Sequence, residues 1–396
     1  MAGRVVLAYS GGLDTSAVLL LLRERGFEVI TVTVDVGQDE DLNGVEERAY
    51  ALGAFEHYTI DAKKEFASEY AFKAVKANGL YEDKYPLGTA LARPLIASKV
   101  ADIARKVGAD YVAHGCTGKG NDQVRFDSML RFHLGDDIGI LAPVREMKLT
   151  RAQAAEVLSK HGFKPPSIHG KYSVDENLWS RSIEGGPLDD PLEEPPEEVF
   201  AWTKAPQKTP DTPLYLEIEF KSGVPVSING DRMEPHSLII LMNKLVGMHG
   251  FGRIDHIENR IVGLKSREVY EAPAALTLIE AHRDLEKTIY TPLEYRFKRV
   301  LDSMWSDLVY QGLWIEPLRS HLEAAIDSMN RYVEGIVKVK VYKGSMTIVG
   351  RESPYSYYSS KIIDYDKGWY PEASEAEGFV KLFTMHSLAA ARVRAG

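Results

Sequence analysis

Apolar positions near the start of the chain come in unbroken blocks. Val5-Val6-Leu7-Ala8-Tyr9 has no polar interruption, as a strand buried on both faces requires. A glycine-bearing turn follows, and apolar residues then continue at helical density from about Thr15 to Leu22. Further strand-like runs fall at Val29 to Val36, Phe55 to Ile60, Tyr111-Val112-Ala113 and Ile138 to Leu141. Helical candidates lie between them, over roughly 39–53, 62–78 and 88–107. Strands that alternate with helices over the first ~165 residues predict an α/β domain with a parallel sheet.

The pattern then changes. Between Pro187 and Pro213, seven prolines and seven acidic residues in 27 positions leave little to bury, so this stretch reads as an extended connector. Beyond it, Leu216, Ile218 and Phe220 alternate with Glu217 and Glu219, the mark of a half-buried antiparallel strand. Arg253 to Val262 and a hairpin of Val337–Tyr342 with Met346–Val349, joined at Lys343-Gly344, add strands. Helices are expected at 236–248, 273–290, 292–311 and 317–330, the third opened by the capping box Thr291-Pro292-Leu293-Glu294. Ser374-Glu375-Ala376-Glu377 reads as a second capping box, opening a terminal helix to about Arg392. The expected division is 1–165 (α/β), 166–364 (α+β) and an arm over 365–396, with no repeat at solenoid spacing.

A chain of 396 residues is too long for one ordinary core, which supports two main domains. Its 44% hydrophobic and 27% charged residues are ordinary for a soluble enzyme. The formal charge of −9 argues against a general nucleic-acid binder, which needs a basic face. Cys116 is the only cysteine, which excludes an intramolecular disulfide and a cysteine-built metal site and fits a reducing cytoplasm. The first apolar stretch is too short for a signal peptide, and no later one approaches the ~20 residues of a membrane helix. A soluble, cytoplasmic protein with neither nucleic-acid nor membrane partner is expected.

Two segments carry chemistry. Ser10-Gly11-Gly12-Leu13-Asp14-Thr15-Ser16 lies between the first strand and the first helix. Its glycines let backbone N–H groups approach a ligand, its hydroxyls add donors, and the helix N-terminus adds partial positive charge. That is a cradle for pyrophosphate, in which Asp14 makes sense if Mg²⁺ accompanies the phosphates. A plain turn with Asp14 as helix cap is the alternative, and the strand–loop–helix context weighs against it. No GxxxxGK[ST] segment occurs, so this is not a cradle that passes on a γ-phosphate. The loop resembles the pyrophosphate-binding loop of the adenine-nucleotide α-hydrolase families, which cleave ATP between the α and β phosphates and adenylate a substrate oxygen. The second segment runs from His114 to Phe126, at the carboxyl end of the Tyr111–Ala113 strand. Gly115, Gly118 and Gly120 allow close approach, while Thr117, Lys119, Asn121, Asp122 and Arg125 supply the mixed charge that a small zwitterion needs.

Taken together, these segments resemble the argininosuccinate synthase family. So do Tyr85-Pro86-Leu87-Gly88-Thr89-Ala90 with Ala92-Arg93-Pro94, Tyr172 to Leu178, and Ile257-Glu258-Asn259-Arg260 with Lys265-Ser266-Arg267, in order along nearly the whole chain. The resemblance implies an adenine-nucleotide α-hydrolase-like domain, then a synthetase domain, then an oligomerisation arm that holds a homotetramer. It implies ligation of citrulline to aspartate through citrullyl-AMP, with AMP and pyrophosphate released, in arginine biosynthesis. Ala8, Tyr9, Ser10, Gly11, Gly12, Leu13, Asp14, Thr15 and Ser16 would hold ATP, with Val34 and Gly115 near the adenosine. Thr117, Asn121 and Asp122 match aspartate-binding positions; Tyr85, Asn121, Arg125, Ser173, Ser182, Glu258 and Tyr270 match citrulline-binding ones. Some members carry a serine where this chain has Ala90, which leaves Ala90 a backbone contact to citrulline.

Asp14, through Mg²⁺, and Asp122, by orienting the aspartate amine and helping to remove its proton, are the two residues expected to act in catalysis. Arg125 suits a carboxylate and Glu258 an α-ammonium. His114 and His169 show no metal spacing and read as structural. Two alternatives stay open: another synthetase or tRNA-modifying enzyme with the same loop, and a nucleotide sensor without catalysis.

Overall fold

The computed structural model describes residues 3–164, 172–359 and 372–396. Five strands form a parallel sheet in the order β3-β2-β1-β4-β5: β1 (Arg4–Ala8), β2 (Glu28–Asp35), β3 (Glu56–Asp61), β4 (Tyr111–Ala113) and β5 (Gly139–Leu141). Val5, Val6 and Leu7 are fully buried in its centre, as their unbroken apolar run requires. β1 leads straight into the Leu13–Glu24 helix, and Gly88–Val107 forms a helix with the bounds read from the sequence. The helix expected over 62–78 is present but is interrupted by a π-helical turn at Phe66–Ala71.

Two antiparallel sheets follow. One has the order β11-β12-β7-β6, from β6 (Ser173–Glu176), β7 (Arg181–Glu184), β11 (Arg253–Asn259) and β12 (Lys265–Glu271). The other, β10-β9-β8-β13-β14, contains β8 (Leu214–Lys221), β9 (Val224–Ile228), β10 (Asp231–Arg232), β13 (Gly335–Tyr342) and β14 (Ser345–Glu352). The β13–β14 hairpin turns at Lys343 (φ 50°) and Gly344 (φ 80°), two positive-φ positions of the kind a tight two-residue hairpin favours. Helices Pro235–Met248, Pro273–Ile289, Pro292–Tyr310 and Pro317–Asn330 fall where their apolar spacing puts them. Thr291 and Glu294 close the expected capping box reciprocally.

Several elements differ from expectation. His114 to Phe126 is not all loop: a helix, Asp122–Leu134, begins inside it, so its polar residues stand on a helix start. β6, β7 and β12 were not expected, because their alternation is hidden by charged residues such as Arg181, Glu184, Lys265, Arg267 and Glu268; β9, which is short and carries Pro225, and the two-residue β10 were not expected either. The connector from Pro187 to Pro213 holds no strand, only short 3₁₀ turns, yet it buries Leu188 and Val199 against Ile183 and Val269. The terminal helix runs Ala373–Arg394 and is capped by Glu372 with Glu375, not by Ser374 with Glu377. Both expected boundaries, at 165/166 and 364/365, lie outside the described residues, as do His169 and the polar stretch 364–370.

The chain divides into two compact units, 1–355 and 356–396. Among the described residues, no helix is long and apolar enough to cross a membrane.

Candidate active site

The carboxyl ends of β1, β2 and β4 open onto a cavity of about 840 Å³, whose opposite wall comes from β6, β7, β11 and β12. That is near the upper end of small-molecule sites, ~300–1,000 Å³. Ala8, Tyr9, Ser10, Gly12, Thr15, Val34 and Gly115 line it, as do Thr117, Asn121, Asp122, Tyr85, Arg125, Ser173, Ser182, Glu258 and Tyr270. Gly11, Leu13, Asp14, Ser16 and Ala90 do not line it. Ala90 is fully buried in the core, while its neighbour Thr89 lies on the cavity wall.

The Ser10–Ser16 loop is built from beneath. Tyr9 donates its N–H to Val32 O at 2.9 Å and receives the Thr33 hydroxyl on its carbonyl at 2.6 Å. Ser16 is fully buried and pairs with the Tyr9 hydroxyl at 3.2 Å, so it braces the loop. Ser10 and Thr15 pair hydroxyl to hydroxyl at 3.2 Å. Gly12 is the N-cap of the following helix and no side chain caps it, which leaves the first N–H groups for a ligand. Gly115 packs closely on this loop: an added Cβ would lie 2.9 Å from Thr15 Cγ2 and would have to displace that side chain. Burial raises the Asp14 carboxyl above its usual range, and Arg151 offsets this only in part.

On the second loop, Arg93 Nε donates to Asp122 Oδ2 at 2.8 Å and Arg125 Nη1 donates to Oδ1 at 2.9 Å. Burial pushes the Asp122 carboxyl up, but the two guanidiniums outweigh it and hold the group at about 2. Asn121 donates to the Tyr310 hydroxyl at 2.9 Å and accepts from the Ile261 N–H at 3.0 Å. Arg125 places Nε and Nη2 on the Tyr310 carbonyl at 3.2 and 2.9 Å, and Nη1 also on the Thr89 hydroxyl at 3.0 Å. Its planar fork therefore grips backbone.

The facing wall is aromatic and acidic. Tyr85 stacks on Tyr270 with centroids 4.5 Å apart. Glu258, 3% exposed, accepts the Tyr270 hydroxyl at 2.7 Å and the Tyr310 hydroxyl at 2.6 Å. Ser182 donates to the Asp175 carbonyl at 3.2 Å. Beside them Glu268, 5% exposed, accepts from Arg260 Nη2 at 2.6 Å and Ser266 Oγ at 2.8 Å, both on Oε1. Burial, then Glu184 and Glu258, push its carboxyl up to about 8, against the pull of Arg260.

Sequence reasoning assigned no role to Arg93, Tyr310 or Glu268. Arg93 stood in a quoted motif. Tyr310 ends a helix and Glu268 sits in a charged strand, so neither carried a local signal. His114 pairs with Asp127 at 2.8 Å. Among the described residues, no cluster of three or more His, Cys, Asp or Glu side chains could hold a metal.

A phosphate cradle at the end of β1, opening onto the same cavity as a polar loop and an acidic wall, defines a nucleotide-dependent synthetase. Residues 4–164 match the model of the arginosuccinate synthase N-terminal HUP domain, and residues 172–390 match that of the C-terminal domain. The chain is 71% identical over 391 residues to the argininosuccinate synthase of Hyperthermus butylicus, covering 99% of both chains. It is 59% identical to that of Pyrobaculum aerophilum, over 99% of both, and 56% identical to that of Metallosphaera sedula, over 99% and 100%. The chain belongs to the argininosuccinate synthase family, ATP-binding ligases of arginine biosynthesis.

Proposed function

We propose that this enzyme ligates citrulline to aspartate through citrullyl-AMP, releasing pyrophosphate and then AMP. The observation that carries the reading is the opening of the Ser10–Thr15 cradle and the Thr117–Arg125 loop onto one cavity with Tyr85, Glu258 and Tyr270. The citrulline ureido oxygen attacks the α-phosphorus, and pyrophosphate leaves against the N–H groups at the helix start. The aspartate amine then attacks the ureido carbon and AMP departs. Two nitrogens feed electrons into that carbon, so it is a poor electrophile until its oxygen becomes a phosphate leaving group. Val34 and Gly115 border the adenosine. Thr117, Asn121 and Asp122 bind aspartate; Tyr85, Arg125, Ser173, Ser182, Glu258 and Tyr270 bind citrulline, with Asn121 shared between the two.

Mg²⁺ fits beside the cradle, where Asp14 is a half-buried carboxylate whose charge is only partly offset by Arg151. Mg²⁺ is commonly held by one or two carboxylates with substrate phosphates. Asp14 would hold it, and bound there it supplies charge neutralisation for pyrophosphate.

The protein works in the cytoplasm as a homotetramer. The Ala373–Arg394 helix supports the assembly, because Phe379, Leu382 and Phe383 recur at i, i+3 and i+4 and are 64%, 71% and 74% exposed.

The test is pyrophosphate release with citrulline, aspartate or ATP omitted in turn. Release is expected to need ATP and citrulline, and argininosuccinate to need all three. ADP formed in step with argininosuccinate would sink the reading.

A further inference from the structure

Aspartate reaches the second half-reaction as an ammonium, which has no lone pair to offer. A group in the cavity must take its proton first. Asp122 is poorly suited, since both its oxygens are held by guanidiniums and its carboxyl sits at about 2. An α-ammonium titrates near 8 at a chain terminus and higher in a free amino acid, so the transfer would run uphill by at least about six powers of ten. We infer that Glu268 is the proton acceptor for the aspartate amine. This rests on the ligation proposed above and deepens it.

The geometry carries the assignment. Glu268 lines the same cavity from β12. Its Oε1 is occupied by Arg260 and Ser266, while no hydrogen bond reaches Oε2 among the described residues. Arg260 links this carboxylate to the aspartate loop, because its Nη1 reaches the Lys119 carbonyl at 3.5 Å. Glu268 thus stands one guanidinium away from the segment that holds Thr117, Asn121 and Asp122. The groups that face it are Arg260 and Ser266, Glu184 on β7, Glu258 on β11 and Tyr270 on its own strand. His256, directly opposite on β11, is 3.3 Å from Glu82. Burial and two neighbouring carboxylates make Glu268 a stronger base than an ordinary glutamate, near the match that proton transfer from an amine needs.

The step balances. The ammonium's first proton passes to Glu268 Oε2, and the freed lone pair forms the new C–N bond at the ureido carbon. The C–O bond to the phosphate breaks, with its electrons going to AMP. The adduct's second N–H proton leaves with the AMP phosphate, and a guanidinium remains.

Glu268→Gln in the full-length enzyme tests this. Citrulline-dependent exchange of labelled pyrophosphate into ATP reports the first half-reaction. Its absence in the parent enzyme would overturn the ligation reading itself, not the role of Glu268. In the Gln variant the loss is expected in the second half-reaction alone, about 100-fold or more in argininosuccinate formation. The rise of kcat/KM for aspartate with pH, through the region near 8, should disappear. Hydroxylamine, already neutral at pH 7.5, should trap the adenylated citrulline as fast in the variant as in the parent. Argininosuccinate formation within tenfold of the parent with the same pH profile would overturn the inference. So would hydroxylamine trapping that falls in step with ligation, since only structural damage does that. If the Gln variant does not fold, Glu268→Asp keeps the charge and shortens the reach. It should keep the pH limb at a lower rate, and a profile without that limb overturns the assignment.

Discussion

Asp122 and Arg125 show how much a single side chain's role depends on its partners. Asp122 accepts from two guanidiniums, so Asp122→Asn removes the carboxylate they share and leaves Arg93 with Asp175 and Arg125 with Thr89 and the Tyr310 carbonyl. We expect kcat/KM for aspartate to fall about 100-fold, the scale of losing a charged partner in a buried site. Stability gives a second readout with a definite sign. The folded carboxyl, at about 2, lies below its ordinary 3.8. Its contribution is therefore present above about pH 4 and is lost as the pH falls toward about 2. Urea midpoints at pH 5, 3 and 2 should show the gap between parent and Asn variant closing with acidity, and a gap constant with pH would contradict this. Arg125→Lys keeps the charge but cannot span the Tyr310 carbonyl, Thr89 and Asp122 together. The citrulline KM should rise about tenfold and more than the ATP KM. An unchanged citrulline KM counts against the assignment.

Elements separate cleanly into those that announce themselves and those that do not. The Pro292–Tyr310 helix is legible because Thr291 and Glu294 satisfy each other's backbone N–H groups, a device that works locally. Thr291→Ala should cost about 1 kcal/mol in urea unfolding and leave turnover unchanged. Loss of activity without loss of stability would show that this cap reaches the site. β12 is the opposite case. Charge breaks its apolar alternation on both faces: Glu268 turns to the cavity and pairs with Arg260, while Arg267 on the other face pairs with Asp255 and the Asp190 carbonyl. A helix interior that buries Lys298 completely is equally invisible in sequence. It is stable because Asp302 at 2.5 Å, one turn along the same helix, and Glu286 at 3.0 Å, brought there by tertiary packing, surround it.

At the scale of the molecule, the terminal helix is the element on which the proposed assembly rests. None of its described residues is buried, and Phe379 stacks on Phe383 with centroids 5.2 Å apart. If the proposed homotetramer is right, the full-length chain should run as a tetramer and deletion of 365–396 should give smaller species by light scattering coupled to size exclusion. A full-length monomer, or a truncated chain still tetrameric, would show that the arm does not hold the assembly.

By itself the sequence determined the parallel sheet, the phosphate loop after β1, most of the helices and the family. Those depend on short-range patterns: unbroken apolar runs, glycine at a tight approach, caps three residues apart. Most of the site residues named from the sequence do line the cavity, because they cluster in motifs. Only the tertiary structure decided what those residues can do. Tyr310 lies 185 positions from Arg125 and takes its fork; Arg93 lies 29 from Asp122 and fixes its charge. Burial, with Glu184 and Glu258 reaching Glu268 across strands, raises its carboxyl. Charge, basicity and free valence at a site are set by neighbours brought together in folding, and distance along the chain carries no information about them.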